Sequence, residues 1–197
     1  MVLAGYRGEP VTVIDPAIES HYGTGYERSR LSPGGRPSLE FVRSMELLER
    51  LLPAPPARVL DVGGGPGTYA APLARRGYRV HVVDPVPLHV DQARQAAGAD
   101  PAASFTAALG EARGLVEPGG SQDAVLVFGP LYHLTAAAHR RQALAEARRV
   151  LAPAAGCWRW RCAGSPRCST GCIRLAGRPG LPADRGPGPG RRAASQP

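Results

Sequence analysis

No lysine occurs among the 197 residues, and all 24 basic side chains are arginine. Together with the abundance of Ala, Gly and Pro, this points to a GC-rich coding sequence. Cysteine and tryptophan are absent before Cys157, so the first 156 residues hold no thiol for a disulfide or a thiolate metal site. Excess charge of one sign is also missing there. Through Pro153 the chain has 16 arginines against 15 acids, a net of +1, which gives no electrostatic reason to expect a nucleic-acid partner. From Ala154 onward the count is 8 against 1, so the +8 of the whole chain belongs almost entirely to its tail. No apolar run approaches the roughly 18 residues of a membrane helix, and no signal-peptide pattern opens the chain. The expectation is a cytoplasmic, soluble protein with no membrane contact.

What is present is an alternation of short apolar strands and amphipathic stretches. Val59-Leu60-Asp61-Val62 runs into Gly63-Gly64-Gly65-Pro66-Gly67. A strand feeding such a turn, with a helix after it, brings backbone N–H groups close to a nucleotide-like ligand. The spacing differs from the dinucleotide fingerprint: G-x-G-x-x-G counted from Gly63 puts Thr68 where the third glycine must stand. The frame present is D-x-G-x-G-x-G, formed by Asp61, Gly63, Gly65 and Gly67. Residues 78–84 read as a second strand ending in Asp84, 17 residues after Gly67. Over the carboxyl ends of parallel strands, an acid in that place can accept hydrogen bonds from both ribose hydroxyls. The competing reading of Asp84 is a solvated turn acid ahead of Pro85.

A third strand is expected over 103–109, leading into Gly110-Glu111-Ala112-Arg113, and a fourth over 122–128, leading into Gly129-Pro130-Leu131-Tyr132-His133-Leu134. Leu39, Val42, Met45, Leu48 and Leu52 recur at helical spacing, with Ser38 as N-cap. Further helices are expected over 87–97 and 135–150, the latter capped by Thr135. Pro72 falls about one turn inside the helix after the glycine loop, which predicts a short or kinked helix.

The D-x-G-x-G-x-G turn resembles motif I of the class I S-adenosyl-L-methionine (AdoMet) methyltransferases. Gly129 to Leu134, G-P-L-Y-H-L, closely resembles motif IV of a mostly bacterial subgroup assigned to small-molecule chemistry. The resemblance covers roughly residues 22–153. It implies an α/β fold, a Rossmann-like three-layer αβα sandwich with a mainly parallel sheet, and methyl transfer from AdoMet to a small-molecule acceptor. It implies that Asp61, Gly63, Gly65, Gly67, Asp84, Glu111, Ala112 and Gly129 bind the cofactor. In the family's G-D-A turn the acid meets the adenine amino group and the next backbone N–H meets a ring nitrogen; here the acid is Glu111, one methylene longer. His133 is a candidate base for an acceptor hydroxyl, against the alternative that it orders the motif IV loop. Tyr132 reads as a pocket wall. Residues 21–31 resemble a segment that folds over the cofactor, with Tyr22, Tyr26, Glu27 and Arg30 as lid residues. No metal is expected. Two alternatives stay open: an NAD(P)-dependent oxidoreductase, and a non-catalytic AdoMet-binding remnant.

The chain divides into a lid segment (1–37), an AdoMet-binding domain (38–153) and an Arg/Gly/Pro-rich tail (154–197). The tail departs from the family where a G-G turn and an apolar strand belong. Read one base out of register with GC-rich codons, its start becomes GGRLLAVALRWLSPVLDGL, a turn followed by a buried strand. A one-base deletion near codon 153 accounts for this. The last strands are then missing or aberrant, the tail is disordered, the edge of the fourth strand is left unpaired, and turnover is lost. The cysteine spacing C-x4-C-x5-C-x3-C fits neither a usual zinc pattern nor the cytoplasm's disulfide chemistry, and an arginine-rich arm for nucleic acid is permitted but unspecified.

Overall fold

The computed structural model describes residues 35–153 and the strands at 155–159 and 172–176. The lid residues Tyr22, Tyr26, Glu27 and Arg30 lie outside the described residues, as do Cys162 and Cys168. The elements in order are α1 (Leu39–Leu51), β1 (Arg58–Val62), α2 (Ala70–Arg75), β2 (Arg79–Asp84), α3 (Pro87–Ala99), a single 3-10 turn (Pro101–Ala103) and β3 (Thr106–Leu109). They continue with β4 (Ala124–Val127), α4 (Pro130–His133), α5 (Ala137–Val150), β5 (Ala155–Arg159) and β6 (Cys172–Ala176).

Strands β3-β2-β1-β4 form a parallel sheet in that order, as expected, with Val62 beside Val83 and Val127. Alternate residues of each strand face opposite layers. Val59, Val80, Val82, Ala124 and Leu126 pack with Met45 and Leu48 of α1, Leu73 of α2 and Ala93 of α3. Leu60, Val62, Val83, Val125 and Val127 pack with Ala143, Ala147 and Val150 of α5. Each fully buried Leu or Val contributes roughly 1.5–3 kcal/mol through apolar area removed from water. The result is a Rossmann-like αβα sandwich with its two apolar cores on either side of one sheet.

The Ser38 cap and the short helix around Pro72 are as expected, and other local expectations need correction. Ser38 caps α1, accepting from the Phe41 N–H at 3.1 Å, but Leu39 and Val42 are exposed. The buried stripe runs through Met45 and Leu48, with Phe41 stacked on Tyr69 at 5.6 Å. Pro72 is the third residue of a helix only six residues long, where its missing N–H has no intrahelical partner to lose. The third strand begins at Thr106 because Asp100 caps the 3-10 turn before it, its Oδ1 accepting from the Ala102 N–H at 2.9 Å. Helix α5 starts two residues after Thr135, which is not its cap. Instead the Arg140 guanidinium donates to the Leu134 and Thr135 carbonyls at 2.6 Å each.

The largest difference lies at the far edge. Strand β6 pairs antiparallel with β4, Leu126 beside Ile173, and β5 pairs antiparallel with β6. The expected unpaired edge of β4 is therefore covered. An apolar strand leaves a row of N–H and C=O groups that need partners, and the proline-free β6 supplies them through its backbone while β5 covers the far edge of β6.

Candidate functional site

The carboxyl ends of the parallel strands converge on one crevice, and Asp61, Asp84, Glu111 and Gly129 each stand at or just beyond such an end. The loop after β1 crosses toward β2: the Gly63 N–H donates to the Val83 carbonyl at 2.7 Å, and the Gly65 N–H donates to Asp84 Oδ2 at 2.9 Å. Close packing imposes glycine at three of the loop positions, among them Gly64, where a Cβ would lie 2.6 Å from Asp61 Oδ2. A Cβ on Gly63 would lie 2.6 Å from Cδ and Cγ of Pro130, and one on Gly67 would lie 2.6 Å from Cζ of Phe105. Gly65 differs. Its φ is +57°, yet a Cβ there would meet nothing within 4 Å, so this residue faces the open side of the crevice. The contact of Gly63 with Pro130 joins the loops after β1 and β4, which are adjacent because their strands pair.

Two buried acids define the electrostatics. Asp61 is 1% exposed, and its Oδ2 has no hydrogen-bond partner. Burial, and then the negative charge of Asp84, push its carboxyl up to about 7. Asp84 is 4% exposed and well partnered: Oδ2 accepts from Gly65, while Oδ1 accepts from the Val86 N–H at 2.9 Å and from Nδ1 of His89 at 3.1 Å. The reading of Asp84 as a solvated turn acid is thereby excluded. His89 is itself buried in the first turn of α3, and sequence reasoning missed it. The signal was its place, five residues past an acid that ends a strand, where the turn into the helix folds back over that acid.

The remaining expected residues are arranged less simply. Gly110 joins β3 to β2 by donating to the Asp84 carbonyl at 3.1 Å, and Ala112 is buried. Glu111 is folded onto its own neighbour, accepting from Nε of Arg113 at 2.5 Å in a partly buried ion pair. The extra methylene lets it reach that arginine, so the carboxylate expected for an adenine amino group already has a cation. Motif IV forms α4, on which Tyr132 and His133 are exposed while Leu131 and Leu134 pack on the core beneath. Phe128, next to Gly129, meets Tyr69 at 5.2 Å, extending the Phe41–Tyr69 stack to the end of β4. Among the described residues no group of three His, Cys, Asp or Glu side chains is placed to hold a metal, and no helix is long and apolar enough to cross a membrane.

Residues 59–154 match the model of a family described as a methyltransferase domain. Uncharacterized methyltransferases of Mycobacterium bovis and Mycobacterium tuberculosis are each 38% identical to the chain over 119 residues, 60% of this chain and 44% of theirs. The chain thus spans under half the length of these curated relatives. Among solved structures, a TehB-like SAM-dependent methyltransferase from Corynebacterium glutamicum is 22% identical with a TM-score of 0.53, covering 76% of each chain. The [4+2]-cyclase SpnF is 20% identical with a TM-score of 0.59, covering 72% of this chain and 59% of its own. These two likenesses establish the fold. One is a methyltransferase and the other a cyclase, so the fold alone does not choose the reaction.

Proposed function

We propose, from the match of residues 59–154 to a methyltransferase-domain family and the 38% identity to curated methyltransferases, that the protein is a class I AdoMet-dependent methyltransferase that binds AdoMet over the ends of β1 and β2 and methylates a small-molecule acceptor. One observation carries the reading: Asp61 Oδ2, buried and without a partner, lies against Gly64 of the glycine loop and within the field of Asp84, whose Oδ2 holds the open-sided Gly65. Two acids suit a ligand that brings an ammonium, a sulfonium and sugar hydroxyls. An acid at the end of β2 serves a ribose in AdoMet and NAD alike, so it is the glycine spacing that disfavours the oxidoreductase alternative.

In this reading Asp61 receives the ammonium end, Asp84 a ribose hydroxyl, and the Ala112 backbone N–H an adenine ring nitrogen. Gly63 and Gly67 keep the loop close to its neighbours, and Gly65 leaves room for the ligand. Glu111 contributes to adenine only by sharing its charge with Arg113. Gly129 borders both cofactor and acceptor, and His133 on α4 is the candidate base for an acceptor hydroxyl. AdoMet, when bound, supplies a methyl group already activated on sulfur. The work left to the side chains is to align the acceptor with that methyl and to exclude water.

The tail reads as out-of-frame sequence. In support, the family match ends at residue 154, next to the position of the inferred deletion. The strand beside β4 also runs antiparallel, where the family order 3-2-1-4-5-7-6 places a parallel fifth strand. On this reading the chain as written binds cofactor and turns over little or not at all. A thermal-unfolding experiment tests the cofactor assignment: AdoMet raises the melting temperature and NAD does not. The reverse result would favour the oxidoreductase.

A further inference from the structure

Asp84 has less to offer a ligand than an acid at a strand end usually has. A carboxylate carries about four lone-pair positions. Three are already used: Oδ1 accepts from the Val86 N–H at 2.9 Å and from His89 Nδ1 at 3.1 Å, and Oδ2 accepts from the Gly65 N–H at 2.9 Å. Because a carboxylate can only accept, Nδ1 of His89 carries the proton. The two side chains are 4% and 5% exposed, so water does not compete strongly for this bond. Pro87 sets the first turn of α3, and Val90 and Ala93 of that helix are buried, which fixes the base from which His89 reaches the acid.

We infer that His89 is a positioning residue for the sugar-binding acid, holding Oδ1 of Asp84 so that one lone pair, on Oδ2 beside Gly65, is left for a single hydroxyl of a nucleoside ligand. The inference rests on the AdoMet reading above and deepens it. The ribose hydroxyls are then unequal: one bonds to Asp84 and the other does not. Val86 and Gly65 contribute backbone N–H groups that any residue but proline would supply, whereas the third donor is a side chain. The restriction to one hydroxyl is thus a property of His89.

The test uses the full chain and calorimetry with S-adenosylhomocysteine and its 2′-deoxy and 3′-deoxy counterparts. In the wild type, one deoxy compound binds within about twofold of the parent and the other about tenfold more weakly, the loss of one hydrogen bond to a charged acceptor. His89→Asn, whose amide nitrogen stands the same two bonds from Cβ as Nδ1, preserves that asymmetry. His89→Leu frees Oδ1, so both deoxy compounds lose affinity alike. A structural role alone would weaken all three ligands by the same factor and leave the asymmetry in place. Equal losses for the two compounds in the wild type, or an asymmetry that survives His89→Leu, would overturn the inference. If His89→Leu does not fold, His89→Phe takes its place, since it fills the buried site with a ring and also lacks the donor. Failure of the parent compound to bind at all would instead remove the AdoMet reading.

Discussion

The backbone N–H of Gly65 donates to Oδ2 of Asp84 at 2.9 Å, tying the loop after β1 to the acid that ends β2. The acid therefore has two duties. It shapes the glycine loop, and it presents the oxygen nearest the open side of Gly65.

Removing the acid should cost both binding and folding, because the Gly65, Val86 and His89 donors also lose their acceptor. Asp84→Ala deletes a charge-assisted hydrogen bond worth roughly 1.5–3 kcal/mol and should weaken AdoMet by about tenfold to a hundredfold in calorimetry. Unchanged affinity would take Asp84 out of the site.

Asp61 makes stability and binding respond to pH in opposite directions. Its carboxyl is pushed from 3.8 to about 7 in the folded protein, mainly by burial and then by Asp84. Between those values the folded chain holds the proton that the unfolded chain has released, so unfolding free energy falls as pH rises through that window. Asp61→Asn should abolish this part of the slope in urea titrations across the same range. Affinity for the cationic cofactor should rise as wild-type Asp61 ionises, and a pH-independent affinity would separate Asp61 from the ammonium.

Two glycines of one loop should fail for different reasons. In Gly67→Ala the new methyl meets Phe105, an overpacking cost of about 1–3 kcal/mol, on top of the cost of a left-handed backbone at φ +83°. Gly65→Ala meets no atom within 4 Å and bears only the left-handed cost of about 1–2 kcal/mol. Urea unfolding should rank Gly67→Ala as the less stable, whereas calorimetry should show the larger loss of AdoMet affinity per unit of lost stability in Gly65→Ala. Equal ratios would mean that Gly65 does not face the ligand.

The tail yields a prediction about nucleic acid sequence rather than protein chemistry. The coding DNA around codon 153 should lack one base relative to a frame that encodes GGRLLAVAL. Restoring that frame should replace the antiparallel neighbour of β4 with a parallel strand and give measurable turnover. Genomic sequence with an intact frame would refute this.

The parallel sheet was legible because β1, β2 and β4 are short, largely buried apolar runs with a glycine turn or an acid at the carboxyl end, while the more exposed β3 is marked by Gly110 alone. Asp61 and Asp84 could be placed for the same reason. Spacing along the chain does not report how side chains near the site pair with one another. The Phe41–Tyr69–Phe128 stack depends on side chains brought together by the fold, whereas the Glu111–Arg113 and Asp84–His89 pairs are local and depend on how the turn after β3 and the start of α3 bend. The boundary of β3 was missed because the Asp100 cap competes locally with the strand. The start of α5 was misjudged because a threonine suited to capping lies one residue too early. The covered edge of β4 was unreadable from side-chain hydrophobicity, since backbone pairing alone supplies it.

The most direct measurement is a crystal structure of the full chain with S-adenosylhomocysteine. The account predicts one ribose hydroxyl within hydrogen-bond distance of Asp84 Oδ2, the amino-acid end of the ligand at Asp61, and Gly65 against the ligand backbone. Ligand density away from the ends of β1 and β2, or Asp61 left without a cationic partner, would contradict it.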